Sequence, residues 1–232
     1  LDTVYDTNAF GDALGNQSPD SGSTTIATDA AGNPLIRTDA RGVTVTSTYD
    51  ALNRVTSESY PDATLDVSYY YDEADAVTGC SDDYPIGRLT RIVEADGVAT
   101  TYCYDRAGRV LRKTLTVAGA TTTTQYGYTL AGRLSSMTYP SGAVLAYTRD
   151  GDGRISAATL TPAGGGAAQS LVSAVAYAPF GAVASYQLGS GQTVTRAFDT
   201  NGRISAVSSA VLGLAYSRDV EGNVTGVSGI ST

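Results

Sequence analysis

The sequence predicts an all-β protein, a long antiparallel meander of β-hairpins drawn into a curled sheet, and three observations predict it. A seven-residue pattern of aromatic, Asp, two free positions, Gly, Arg and aliphatic returns at a near-constant interval along the chain. The composition is that of strands and turns, with 26 Gly and 16 Tyr against 3 Phe and no Trp, and with Thr, Ser, Val and Ala filling the remainder. No window carries helical periodicity of convincing length.

Residues 1–27 show weak periodicity and are rich in Asp, Asn, Gly and Ser, so they read as an irregular lead-in, with Tyr5-Asp6 as a candidate worn copy of the pattern. Residues 28–232 then read as one continuous array of about nine repeats. The best copies are Tyr49-Asp50-Ala51-Leu52-Asn53-Arg54-Val55, Tyr104-Asp105-Arg106-Ala107-Gly108-Arg109-Val110 and Phe198-Asp199-Thr200-Asn201-Gly202-Arg203-Ile204. Tyr128 to Leu134 keeps Gly132-Arg133 but has Thr129 for the Asp, whereas Arg149 to Ile155 and Arg218 to Val224 keep Asp150 and Asp219 and lose the aromatic. The Gly or Asn of the pattern falls at Gly32, Asn53, Gly87, Gly108, Gly132, Gly153, Gly181, Gly202 and Gly222, giving intervals of 21, 34, 21, 24, 21, 28, 21 and 20. A repeat of about 21 residues with three insertions accounts for the series.

Each copy reads as a hairpin turn. Asp at the first turn position accepts hydrogen bonds from amides two or three residues on, and Gly or Asn at the fourth takes the left-handed conformation. The expected turn residues are therefore Asp50, Asn53, Arg54, Asp105, Gly108, Arg109, Gly132, Arg133, Asp150, Gly153, Arg154, Asp199, Gly202, Arg203, Asp219 and Gly222. A second turn signal lies about eleven residues earlier in each repeat, at Gly42, Ala63, Gly97, Gly142 and Gly191. There the Asp96-Gly97 pair suits a tight hairpin. The aliphatics Val55, Leu89, Val110, Leu134, Ile155, Ile204 and Val224 start the outgoing strands and are expected in a row on one face.

Three insertions interrupt the spacing. Glu73 to Ile86 is acidic and holds Cys80 and Asp82-Asp83, while Ala118 to Thr121 and Ala163 to Ala167 read as elongated, exposed hairpin tips. Two strands per repeat give on the order of sixteen to nineteen strands, and an open sheet beyond roughly ten must curl or split.

A formal net charge of −8 argues against nucleic acid or an anionic membrane as a main partner. No apolar stretch approaches the roughly 20 residues that span a bilayer. Since the chain starts at Leu1 rather than Met, it reads as an excised or processed segment.

The Tyr-Asp-x-x-Gly-Arg core with its hydrophobic successor resembles the YD repeat of the RHS (rearrangement hot spot) proteins, over roughly residues 28–229. That family includes bacterial polymorphic toxins, shell components of ABC insecticidal toxin complexes and animal teneurins. The resemblance implies a spiralling antiparallel sheet that builds a hollow β-shell around a toxic polypeptide at the C-terminal end. The partners it implies are the remainder of the shell and that toxin domain, and the location is secreted or cell-surface. Family members that release cargo end the repeats in an Asp-Pro-x-Gly-Leu-like self-cleaving segment. Nothing in this chain matches it, so neither cleavage nor toxin activity carries over.

The absence of His removes Ser-His-Asp, Cys-His and His-based metal constellations. Paired acids at Asp82-Asp83 or Asp72-Glu73 read as a solvated loop rather than a catalytic pair. Asp150-Gly151-Asp152-Gly153 fails as a calcium loop, because alignment on Gly153 puts Thr148 and Thr159 where Asp and Glu are needed. No cofactor and no enzymatic role are expected. Cys80 and Cys103 are a candidate disulfide pinning the acidic insertion, with two free thiols as the alternative. The repeated arginines are expected to hold their own turns or stack on tyrosines. Tyr-rich strands also suit sugar stacking, which keeps an adhesion or carbohydrate-binding array as the second reading.

Overall fold

The structure, a computed structural model, describes residues 2–81 and 84–229 and divides into two compact units, Leu1–Thr123 and Thr124–Thr232. The first carries β1 (Val4–Thr7), β2 (Ala13–Ser18), β3 (Gly22–Thr28), β4 (Pro34–Thr38), β5 (Thr44–Tyr49), β6 (Val55–Ser59), β7 (Val67–Tyr71), the one-turn helix α1 (Asp75–Thr78), β8 (Leu89–Glu94), β9 (Ala99–Tyr104) and β10 (Val110–Val117). The rest are β11 (Ala120–Tyr128), β12 (Leu134–Thr138), β13 (Val144–Arg149), β14 (Ile155–Thr161), β15 (Gln169–Tyr177), β16 (Val183–Leu188), β17 (Thr193–Phe198), β18 (Ile204–Ser208), β19 (Gly213–Arg218) and β20 (Val224–Gly229). Within each unit every strand pairs antiparallel with the next, so both are meanders.

Strand faces are half-buried rather than dry. Among the described residues the strongly buried side chains are Thr78, Cys80, Thr90 and Cys103 in the first unit and Ala178 in the second. Tyrosine suits such layers, since its ring packs while its hydroxyl finds a carbonyl. The aliphatics that open the outgoing strands are half-buried, except Val224, which is exposed.

Both turn sets share one backbone geometry. At Glu94 to Val98 the Glu94 amide donates to the Val98 carbonyl and Gly97 N donates back to Glu94 O, as Asp105 N and Gly108 N do at Asp105 to Arg109. Each is a three-residue loop with one left-handed position, and Gly97, not Asp96, carries the positive φ (84°). The hairpin expected at Asp96-Gly97 is therefore present, with a three-residue loop in which only Gly97 is left-handed. A two-residue turn with both φ positive occurs instead at Ala118 (49°) and Gly119 (80°), so that insertion lengthens strands rather than forming a loose tip. Ala63 is not a turn glycine substitute: it opens a short 3-10 helix, Ala63–Leu65, capped by Asp62, whose carboxylate accepts from Thr64 N.

The start of the chain and the acidic insertion also bear on the sequence reading. Residues 4–28 form paired strands, and the turn near the start is Asn8 to Asp12 rather than Tyr5-Asp6, which lies in β1. The acidic insertion is largely exposed but pinned at two points, as the candidate disulfide implied. Thr78 and Cys80 are buried, and Cys80 is joined to Cys103 of β9 with Cα atoms 5.7 Å apart. Closing that loop, with a sequence separation of 23, stabilises the unit by about 3 kcal/mol in the chain-entropy account. Asp82-Asp83 lies outside the described residues.

Candidate functional site

The recurring element is a clasp built on the Asp of each turn. Asp50 Oδ1 accepts from Leu52 N and Arg54 N at 2.9 and 3.0 Å, and Asp50 Oδ2 takes Arg54 Nε at 2.7 Å. The same set recurs at Asp150 with Arg154 and at Asp199 with Arg203, and Asp105 likewise holds the Arg109 amide and guanidinium. The fourth turn residue is left-handed throughout, at Asn53 (59°), Gly108 (83°), Gly153 (78°), Gly202 (74°) and Gly222 (96°). One carboxylate thus satisfies two turn amides and orients one guanidinium.

Two variants of the clasp escaped the sequence reading. Asn33 and Asn223 replace the Arg, donating Nδ2 to Asp29 Oδ2 and Asp219 Oδ2 at 2.9 and 3.0 Å. At the start of the chain the polarity reverses, with Asn8 Oδ1 accepting from Phe10 N and Asp12 N and Asn8 Nδ2 donating to Asp12. The signal that finds them is a left-handed Gly followed by any short hydrogen-bonding residue.

Clasps are linked to the next repeat by two contacts. The aromatic hydroxyl reaches back to the carbonyl of the previous repeat's opening residue: Tyr49 to Pro34 at 3.0 Å, Tyr104 to Leu89 at 2.5 Å and Tyr177 to Ile155 at 2.7 Å. Where Arg replaces the aromatic the bond persists, since Arg149 Nη2 donates to Leu134 O at 2.8 Å and Arg218 Nη2 to Ile204 O at 3.0 Å. The other Nη of each caps its own turn at Gly153 O or Gly222 O. Secondly, the clasp guanidinium stacks on the following tyrosine, with Arg54 4.3 Å from the Tyr71 ring centroid and Arg154 4.5 Å from that of Tyr177. Arg133, whose turn has Thr129 instead of Asp, reaches the Asp152 carbonyl of the next turn.

The long insertion hangs inside one clasp. Asp72 N donates to Arg88 O and Gly87 N to Asp72 Oδ1, while Arg54 Nη2 bridges to Asp72 Oδ2 at 2.7 Å. Beside it, Glu73 accepts from Arg91 Nε and Nη2 at 3.1 and 2.5 Å and from Thr90 Oγ1 at 3.1 Å. Thr90 is fully buried because β8 bulges there: Leu89 pairs with Tyr71 and Arg91 with Tyr70, leaving Thr90 extra. Its hydroxyl reaches the Tyr70 carbonyl at 3.0 Å. The same bulge follows other turns of the set, with Thr56, Ser135, Ser156, Ser205 and Thr225 at the extra position in five of them and Leu35, Leu111 and Ala184 in three.

These contacts fix the electrostatics. The Arg54 guanidinium holds Asp72 below the usual carboxylate range, and Arg91 does the same for Glu73. Asp50 and Asp199 are lowered first by the amides of Arg54 and Arg203, and Asp105 first by the Arg109 side chain. Carboxylates so held stay ionised near neutrality, the opposite of a general acid. Asp152 pairs with Arg154 at 2.8 Å, and no metal-ligand cluster occurs among the described residues. The turn residues are thus spread along one repeated structural device, with Cys80 and Cys103 apart from it beside the insertion.

The RHS Repeat family profile matches residues 29–65, 84–122, 104–144 and 128–167. The chain belongs to the RHS repeat family. Among solved structures the chain is similar to TcdB2-TccC3 (TM-score 0.84, 19% identity) and to TcdB2-TccC3-Cdc42 (0.83, 19%). It is similar also to the Tc holotoxin pore of Photorhabdus luminescens (0.82, 18%). Each match covers 98% of this chain and 12% of the other, so the chain spans about an eighth of those polypeptides. No curated protein sequence matches. The fold class expected from the sequence, an antiparallel β-meander of the RHS shell type, is the one observed. No helix among the described residues is long and apolar enough to cross a membrane.

Proposed function

We propose that this chain is a non-enzymatic wall segment of a secreted RHS protein, whose sheet encloses and shields a toxin domain at the C-terminal end of the same polypeptide. The observation that carries the reading is the interlocking of successive clasps. Several turns are tied to the preceding repeat through Tyr or Arg to a backbone carbonyl, and Arg54 and Arg154 are stacked on the tyrosine that follows, so chemistry-bearing groups are consumed in joining repeats. Such a surface suits a continuous barrier rather than a cleft. A disulfide fits an oxidising compartment and therefore export. The glycan-binding alternative is weakened because several tyrosine faces are already covered, Tyr70 and Tyr71 by Arg91 and Arg54 and Tyr177 by Arg154.

Protease protection of the full-length polypeptide tests the reading. The segment C-terminal to the repeats is expected to resist digestion while the repeats are intact and to become cleavable after Asp105→Ala/Asp150→Ala/Asp199→Ala. Equal cleavage of that segment with and without the repeats refutes enclosure, and retention on a glycan array with free access to the C-terminal segment supports adhesion instead.

A further inference from the structure

We propose that the Cys80–Cys103 bond is a thiol-exchange site, opened by a dithiol reductant that attacks Cys80, and that its reduction frees the acidic insertion while the strands beneath stay paired. Three observations carry this. Cys80 is bonded to β9 from a short insertion whose neighbouring residues Asp75 to Val77, Gly79 and Ser81 are exposed. A one-turn helix of that kind opens locally at little cost, which gives a small thiol access to a sulfur that is otherwise covered. Cys103, by contrast, lies within a strand paired on both sides, opposite Arg112 in β10.

Arg112 supplies the direction. Its Nε lies 3.3 Å from Cys103 Sγ, so a thiolate forming on Cys103 meets a guanidinium at once, and the better-stabilised thiolate is the better leaving group. Its Nη2 donates to the Gly79 carbonyl, which ties the same side chain to the closed insertion. In the exchange, a reductant thiolate forms a bond to Cys80 Sγ as the Sγ–Sγ bond breaks, and the electron pair leaves on Cys103 Sγ. The reductant's second thiolate then attacks its own sulfur in the mixed disulfide, releasing Cys80 as a thiolate that takes up a proton. The reductant is oxidised by two electrons to its disulfide, and the protein's cystine is reduced to two cysteines.

What the release leaves behind is also set by the structure. The base of the insertion stays closed, because Asp72 binds Gly87 N, the Arg88 carbonyl and Arg54 without involving the cystine. The ladder of β7 to β10 does not run through Cys80. The freed segment is therefore residues 74–81, over intact strands, with Glu73 retained by Arg91 and Thr90 and the carbonyls of Tyr84 and Pro85 retained by Arg88.

Two measurements on the full chain test this. Hydrogen exchange before and after dithiothreitol should show amides of residues 77–80 losing protection at least about tenfold while β8 and β9 are unchanged. An insertion that stays protected, or a first unit that loses protection throughout, overturns the latch. In the second measurement, limiting glutathione should leave the mixed disulfide on Cys80 by peptide mass, and Arg112→Gln should slow reduction about threefold. Losing the Gly79 contact alone would speed it, so slowing reports thiolate stabilisation. Glutathione on Cys103, or reduction at an unchanged or faster rate in Arg112→Gln, overturns the assignment.

Discussion

Replacing Thr90 by Val isolates one hydroxyl at the most buried point of the first unit. Val keeps the shape and the strand propensity, so the change is close to pure removal of the O–H. Thr90 Oγ1 lies 3.0 Å from the Tyr70 carbonyl and 3.1 Å from Glu73 Oε2, and with one proton it serves one acceptor at a time. The carboxylate is the stronger acceptor and is itself only 15% exposed, so it keeps part of its low-dielectric advantage. A hydrogen bond to such a charged group is worth about 2 kcal/mol after discounting for the exposure of Arg91. With a urea m-value of about 2 kcal/mol per M, the first unit's midpoint should fall by about 1 M at unchanged m. Thr90→Ser, which keeps the hydroxyl and loses a methyl, should cost only about 1 kcal/mol. In a Glu73→Gln background the Val substitution should cost less than half its original value, because the charged acceptor is gone. A Thr90→Val midpoint within about 0.3 M of the parent, or equal costs in both backgrounds, refutes the network.

Other substitutions probe the clasps. A Cβ on Gly153 would lie 1.1 Å from Arg133 Nη1, whereas at Gly191, with φ of 85°, it would meet nothing within 4 Å. Gly191→Ala should therefore cost about 1 kcal/mol of left-handed strain and Gly153→Ala more, with the excess removed in an Arg133→Ala background; equal urea midpoints for the two single variants would show that Arg133 is not seated there. Arg149→Tyr should lie within about 0.5 kcal/mol of the parent, since tyrosine makes the same reach at Tyr104 and Tyr177, while Arg149→Ala should cost about 1 kcal/mol by orphaning the Leu134 carbonyl. Acid should unfold the chain through its clasps. Asp50, Asp72, Glu73, Asp105 and Asp199 are all lowered in the fold, so their contribution is present above the unfolded values of 3.8 for Asp and 4.5 for Glu and is lost as pH falls through the folded ones. Thermal melts whose midpoint is flat from pH 6 to about pH 2 would contradict that. At the alkaline end Tyr69, pushed up to about 12 by burial and by its bond to Glu58, should ionise last by ultraviolet titration, with stability present below the unfolded value near 10 and declining as pH rises toward 12.

The turn framework was legible in the sequence because one requirement has almost no substitutes. A left-handed residue at the fourth turn position admits Gly and tolerates Asn, and Asn53 stands where Gly108, Gly153 and Gly202 stand elsewhere. The hydrogen-bonding partners around that residue were much less legible, because several side chains satisfy one bond. Tyr104 and Arg149 serve the same kind of carbonyl, and Arg54 and Asn33 the same kind of carboxylate. Pattern matching on the aromatic or the Arg therefore undercounts copies, and it placed the first copy at Tyr5-Asp6 instead of Asn8 to Asp12. The fate of the long insertion was legible only in its cystine, the candidate Cys80–Cys103 pair, and even that stood beside two free thiols as the alternative, for a different reason. Its packing depends on partners far along the chain, Arg112 on Gly79 and Cys103 on Cys80, which no local periodicity encodes.

The position of that insertion nonetheless follows from the clasp. A strand cannot take twelve extra residues without losing its register, and a one-residue slip already moves every side chain to the wrong face. A turn held by side chains can. Asp72 donates its amide to Arg88 O as Asp105 does to Arg109 O, and its carboxylate holds Gly87 N and the Arg54 guanidinium where Asp105 holds the amide and guanidinium of Arg109, although the chain between now spans residues 73–86. Lengthening the loop costs only the logarithm of its length, about 1 to 1.5 kcal/mol for this change. The ion pair of Arg54 with Asp72 and the Glu73 cluster offset it locally. The carboxylate of Asp72 thus makes this turn divisible, whereas the two shorter insertions, at Ala118 to Thr121 and Ala163 to Ala167, fall at the opposite hairpin ends, between β10 and β11 and between β14 and β15, where no clasp has to be kept closed.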